Sequence, residues 1–285
     1  MKKVVTIQSN PHQHWVGDGF HVRSIFSYND LSKEMSPFLL MDYGGHTEFP
    51  PTKKRLGVGE HPHRGFETVT IVYDGEVEHR DSSGGGGLIR KGDVQWMTAG
   101  SGIVHEEFHG TDYAKKGGPF EMIQLWVNLP KKNKMTAPGY QAITKDVIPE
   151  FPLANGAGLV RVIAGHFNGT KGPAHTFSAV NLWDITAHFE KTVELEVPPG
   201  FTTAVFVLKG EIKFSDKNVK GGEMAILERD GQKLSFEVLE NARVLLLNGE
   251  PINEPVVGYG PFVMNSEGEI RQAMIDYESG RMGHL

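Results

Sequence analysis

Glu60–Glu67 reads EHPHRGFE and Gly102–His109 reads GIVHEEFH. In a β-strand the side chains of residues i and i+2 leave the same face. His61 and His63 therefore project together, as do His105 and Glu107, while Glu106 points the other way. If the two segments face each other inside a small barrel, three imidazole nitrogens and one carboxylate converge. Such an N3O set suits a divalent metal and leaves two octahedral positions open. Glu67 shares the parity of His63, and His109 that of Glu107, so each competes as a ligand or as a partner to one. A lone His-x-His is weak, since many are surface accidents. Two such pairs about forty residues apart in a cysteine-free chain favour a metal site.

Outward from these segments the chain reads as strand. Val22–Phe26, Phe38–Tyr43, Glu67–Tyr73, Val77–Arg80, Gly87–Arg90, Val94–Met97 and Phe120–Leu129 are short and rich in β-branched or aromatic residues, with turn residues between them. Asp74–Gly75 carries the signal of a hairpin turn. The glycines of Ser82–Gly87 read as a hairpin tip; no Lys-Ser, Lys-Thr or helix follows to make a phosphate loop. Lys131–Gln141 is polar and basic, contains Pro138 and Gly139, and is the best linker.

A second β-rich series then runs from Leu159 to Asn248, with Lys209–Gly210–Glu211 as a turn between paired strands. The same architecture thus occurs twice, which divides the chain at 1–135 and 136–285. Near the end, Ser266 and Glu269 form a capping box. Ile270, Met274 and Ile275 supply a helical stripe, so Glu267–Gly280 is an amphipathic helix that packs on a barrel, assigned to the second domain.

Composition sets limits. The formal charge of −6 over 285 residues argues against direct nucleic-acid binding through phosphate neutralisation. With no cysteine there is no disulfide, thiolate nucleophile or Cys-based metal site, which fits a reducing compartment. The N-terminus has no apolar signal core, and no window of 18 apolar residues spans a membrane, so a cytoplasmic location is expected.

The two histidine segments resemble the metal-binding motifs of cupins, and more closely those of pirins. The resemblance is carried by PFLLMD (37–42), HPHRGFET (61–68), GDVQWMTAG (92–100), GIVH (102–105), QLWVNL (124–129) and GPFVMN (260–265). Thr98 where cupins usually have Pro, and the longer gap from Gly100 to His105, are both pirin-like. The resemblance implies an all-β fold of two tandem cupin jelly-roll barrels with a few short helices. It implies one mononuclear iron in the N-terminal barrel, held by His61, His63, His105 and Glu107. It decides for Glu107 over Glu67, because pirins take their carboxylate from the second motif. The second barrel has Phe201, Thr202 and Thr203 where ligands would be needed, and no histidine between His188 and His284, so no metal is expected there.

Some pirins are similar to flavonol dioxygenases, which open the quercetin ring with O2 and release carbon monoxide. On that resemblance Glu107 is the catalytic base, Fe(II) is the cofactor (with Mn, Co, Ni, Cu or Zn as substitutes), and the partners are a flavonol and O2. Phe66, Met97, Phe108 and Trp126 are candidates for the pocket wall or for ordinary core. Other pirins resemble iron-dependent redox-sensing co-regulators that bind a protein partner without turnover. A metal-binding cupin acting on another small molecule, such as a sugar phosphate, is a third reading. Two barrels in one chain imitate a cupin dimer, so a monomer is expected.

Overall fold

The computed structural model describes every residue from Met1 to Leu285. Strand dominates, and α-helix is confined to Ser32–Met35, Thr111–Lys116 and Glu267–Glu278. The chain forms two compact units, each an antiparallel barrel of the cupin type. The first holds residues 12–32, 38–145 and 252–285; the second holds 1–11, 33–37 and 146–251.

A single cut at 135/136 does not describe these units. Val4–Ser9 is a strand of the second barrel, paired with Glu223–Leu227. Gly139–Ile143 takes the matching edge of the first, paired with Val94–Thr98. Lys131–Gln141 is thus not a linker. Within it Lys134 is buried, and its ammonium donates to Gly65 O, Asn128 Oδ1 and Val263 O, each at 2.8 Å.

The terminal helix forms as Glu267–Glu278, with Ser266 Oγ accepting from the Glu269 N–H and the Glu269 carboxylate accepting from the Asn265 N–H. It belongs to the first unit, not the second. Ile270 and Ala273 pack with Val104, Phe262, Met264 and Met282, and Met274 lies against them. Ile275, the third residue of the expected stripe, faces solvent.

Two of the three expected turns take another form. Ser82–Gly87 does close a hairpin between Glu76–Asp81 and Gly86–Arg90. Asp74–Gly75 joins strands that do not pair: Phe66–Asp74 lies in a seven-stranded sheet and Glu76–Asp81 in a four-stranded one. Gly75 adopts φ +83°, and a Cβ there would lie 2.5 Å from the Phe120 ring, so the residue serves a barrel corner. Lys209–Gly210 is a bulge inside one long strand, Thr202–Phe214, which keeps Lys233–Gly249 as its neighbour on both sides of the irregularity.

The four-stranded sheet runs Gly57–His63, Ile103–His109, Glu76–Asp81, Gly86–Arg90. The second barrel has the same arrangement, with Thr192–Glu196 in the place of Gly57–His63. There the facing pairs are Val193 with Phe236 and Leu195 with Leu234. All four are buried in an apolar core with Ile212 and Phe214. The positions matching the first histidine segment therefore lie in this strand rather than at Phe201–Thr203. Hydrocarbon fills the space where the first barrel gathers imidazoles.

Candidate metal centre

Gly57–His63 and Ile103–His109 pair antiparallel, with His61 opposite His105 and His63 opposite Ile103. The register slips between His105 and Glu107, where three steps on the first strand oppose two on the second. This bulge includes Gly59, whose carbonyl lies 2.8 Å from His61 Nδ1. His63 Nδ1 lies 3.4 Å from the carbonyl of Pro261. Each carbonyl can only accept, so both rings carry their proton on Nδ1 and present Nε2 as a lone pair.

The three rings crowd together, with centroids 4.2 Å apart for His61 and His105, 4.8 Å for His63 and His105, and 4.9 Å for His61 and His63. Their donor atoms lie within 4.8 Å of one another. Burial, then the neighbouring imidazoles, hold His63 and His105 well below the ordinary histidine range. Both rings are neutral at pH 7 and free to act as donors.

Glu107 is also buried, and it joins an overlapping trio with His105 and His79 whose donor atoms again lie within 4.8 Å. Its Oε1 accepts from Thr70 Oγ1 at 3.2 Å and its Oε2 from Gln124 Nε2 at 3.4 Å. The structure thus gathers the three expected imidazoles directly and brings Glu107 to them through His105. His105 Nε2 is buried with no hydrogen-bond partner. An orphaned nitrogen beside two lone-pair nitrogens and a carboxylate fits a divalent metal ion. Imidazole and carboxylate without thiolate suit iron, cobalt, nickel, copper and zinc alike.

The competing ligands lie elsewhere. The first strand ends at His63, and Gly65 at φ +90° turns the chain into the other sheet, so the parity that linked His63 to Glu67 does not carry through. Glu67 accepts from Thr98 Oγ1 at 2.8 Å. Its pairing strand, Val94–Thr98, belongs to the seven-stranded sheet. His109 donates from Nε2 to the Gly19 carbonyl at 2.8 Å and stacks on Phe120. Glu106 turns away from the cluster and pairs with Arg55 at 2.8 Å and Arg80 at 2.6 Å. Arg64 is buried, pairs with Asp276 at 2.9 Å and donates to the Ser101 carbonyl at 2.6 Å, tying the terminal helix to the barrel.

Glu67 yields a pH prediction. Burial pushes its carboxyl from 4.5 up to about 7. The folded state therefore binds more protons than the unfolded chain between these values. Stability is greatest below about pH 4.5 as far as this group is concerned, and falls by about 3 kcal/mol as pH rises through 7. Glu67→Gln keeps the acceptor for Thr98 and removes the charge. Urea unfolding at pH 5 and pH 8 is expected to show the variant gaining most at pH 8; an equal effect at both pH values would contradict this account.

A cavity of about 440 Å³ opens onto the cluster. His61, His63, Glu107, Asp42 and Gln124 supply its polar groups, and Phe20, Val22, Met122 and Trp126 much of its apolar wall. That size and lining match a small-molecule site. Burial raises the Asp42 carboxyl above the ordinary range, and Ser24 Oγ donates to it at 2.5 Å. Of the four expected wall residues only Trp126 lines the cavity. Phe66 lies behind it, stacked at 4.2 Å. Met97 packs with Ala99 and Ile103, and Phe108 lies under the Arg55 guanidinium at 3.8 Å.

Sequence reading missed three residues at the site. Gln124 opens the QLWVNL run and touches Glu107. His79 and Asp81 lie outside both histidine segments. Their i, i+2 spacing on one strand was the available signal, and the sheet places both beside Ile103–His109, with His79 opposite Glu107 and Asp81 opposite His105. Burial alone would raise Asp81, but hydrogen bonds from His79, Ser83 and Gly85 bring it down to about 2.

Fold and site together define a two-barrel cupin with a histidine-lined cavity in its first barrel. Residues 19–127 match the Pirin family model and 182–283 the model of the Pirin C-terminal cupin domain. The chain belongs to the pirin family. A Pseudomonas aeruginosa protein named "Putative quercetin 2,3-dioxygenase" is 53% identical over 281 residues, covering 99% of this chain and 98% of that protein. A tomato pirin-like protein is 37% identical over 288 residues, covering 99% and 92%. The crystal structure of a quercetin 2,3-dioxygenase from Acinetobacter baumannii superposes with a TM-score of 0.97 at 51% identity, covering 99% of both chains. No helix is long and apolar enough to cross a membrane.

Proposed function

We propose that this chain is an iron-dependent flavonol 2,3-dioxygenase, with His61, His63, His105 and Glu107 as the metal ligands. The observation that carries the reading is the partnerless Nε2 of His105, buried beside the other two imidazoles, in a cluster that opens onto a mostly apolar cavity. The names of the similar Pseudomonas and Acinetobacter proteins support the substrate class. Iron(II), when bound, supplies Lewis acidity and redox chemistry toward dioxygen. Mn, Co, Ni, Cu or Zn would fill the same donor set.

The protein's own groups bind, orient and move protons. Glu107 takes the proton of the flavonol 3-hydroxyl, with Gln124 and Thr70 aiming its carboxylate. Trp126, Phe20 and Met122 hold the aromatic rings and exclude water. The flavonol and O2 are converted to a depside ester and carbon monoxide, with both atoms of dioxygen retained in the products. The enzyme is taken to act as a cytoplasmic monomer.

Aerobic incubation of the Fe(II)-loaded protein with quercetin tests the reading. Loss of flavonol absorbance with matching release of carbon monoxide is expected. Stoichiometric metal without turnover at any metal loading would overturn it and favour an iron-dependent regulatory protein that binds a partner.

A further inference from the structure

We propose that Asp81 and His79 form a hydrogen-bonded chain that sets the tautomer and orientation of His105. This rests on the reading of His105 as a ligand through Nε2. The chain is fully buried, with no exposure of the His79 or Asp81 side chains. Asp81 Oδ2 lies 3.1 Å from His79 Nε2, and His79 Nδ1 lies 3.3 Å from His105 Nδ1.

The proton positions follow by elimination. The other oxygen of Asp81 already accepts from Ser83 N at 2.8 Å, Ser83 Oγ at 2.6 Å and Gly85 N at 3.1 Å. An ionised carboxylate only accepts, so His79 must carry its proton on Nε2. With His105 read as a ligand through Nε2, its own proton lies on Nδ1, and His79 Nδ1 is the lone pair that accepts it. His105 Nδ1 faces that lone pair and must be the donor. The proton of His105 is thus placed on Nδ1, and Nε2, which has no hydrogen-bond partner of its own, is left bare. Gln95 Nε2, at 3.5 Å from His79 Nδ1, is a longer second donor to the same lone pair. Tyr140 stacks on His79 at 5.2 Å and 14°, which holds the ring plane.

A metal-bound histidine commonly gives its other N–H to a carboxylate directly. Here a second imidazole stands between the two. The buried negative charge of Asp81 polarises both rings and makes His105 Nε2 a stronger donor. His61 and His63 have only neutral backbone carbonyls in that role. His79 is accordingly a positioning residue.

Two measurements test this. The first needs no metal: long-range ¹H–¹⁵N correlation on histidine-labelled protein reads the tautomer of each ring. The expected result is His79 protonated at Nε2 and His105 protonated at Nδ1, with the His105 preference weakened in Asp81→Asn. Protonation of His105 at Nε2 in the wild-type protein would overturn the proposal.

The second is Co(II) affinity by chelator competition, read with the visible Co(II) spectrum. His79→Phe removes the acceptor and is expected to weaken Co(II) about 10- to 100-fold with a shifted spectrum. His79→Gln restores an acceptor and is expected to recover most of the affinity. His79→Phe and Asp81→Asn both binding Co(II) like wild type would overturn the proposal. If the wild-type protein bound no divalent metal, the functional reading would fail, while the tautomer measurement would still decide this one.

Discussion

His105→Ala is expected to give a folded protein that retains no stoichiometric divalent metal and clears no flavonol. His105 lies at the junction of both donor trios, with His61 and His63 on one side and His79 and Glu107 on the other. Its removal takes away the orphaned nitrogen and the one donor that joins Glu107 to His61 and His63. Loss of an outer-shell partner costs roughly 10- to 100-fold in metal affinity. Loss of a donor at the hub is expected to exceed that, with flavonol turnover falling to the metal-free background. The fold should survive, because the core of this barrel is built from Val72, Val77, Ile89, Met122 and their neighbours rather than from an ion. His109→Ala is the matched control. It lies four residues further along the same strand, yet its ring packs among Phe20, Phe49 and Phe120, outside both trios. It is expected to lower the melting temperature and leave metal content unchanged. Metal analysis and thermal melting of both variants read the two effects separately, and metal retained by His105→Ala would remove the basis for the proposed centre.

Asp276→Leu is expected to destabilise the first unit strongly, and more than the loss of its partner Arg64 does. Arg64 is 4% exposed, and its charged partner is the Asp276 carboxylate at 2.9 Å. Without that carboxylate the guanidinium stays buried with only the Ser101 carbonyl to accept from it. Breaking a buried pair this way costs about 3–5 kcal/mol. The reverse substitution should cost less. In Arg64→Leu the carboxylate keeps Arg281 at 2.8 Å and Gln272 at 2.8 Å. The expected order of stability is therefore wild type, Arg64→Leu, Asp276→Leu, measured by urea unfolding. The site should respond as well. Arg64 follows His63, and its backbone bonds to Pro261 O at 3.3 Å and to Val263 N at 3.1 Å. Loosening the helix frees the hairpin Val257–Tyr259 and Phe262–Met264, which supplies the carbonyl facing His63. Limited proteolysis of Asp276→Leu is expected to cut first within residues 252–285. Equal stability of the two variants would contradict this account.

Period-two patterning reaches as far as a strand stays regular. It carried His61, His63, His105 and Glu107 to one face, and it turned Glu106 away, because each pair lies within a single strand. It failed at Glu67, where Gly65 ends one strand and starts the chain into another sheet. Turn chemistry likewise announced that the chain bends at Asp74–Gly75 and at Gly210. It could not say which strands lie on either side, because pairing is settled by distant residues.

The number of barrels, their all-β character, the capped terminal helix and the donor types were thus legible from local chemistry, in which each residue answers to near neighbours. The ownership of the chain ends was not. Val4–Ser9 and Glu267–Glu278 join the barrels remote from them in the chain, because an open sheet edge and an apolar face find their partners in space. The pairing of Asp81 and His79 with His105 has the same origin. Strands more than twenty residues apart are laid side by side, and only that register decides which nitrogen of His105 is left bare.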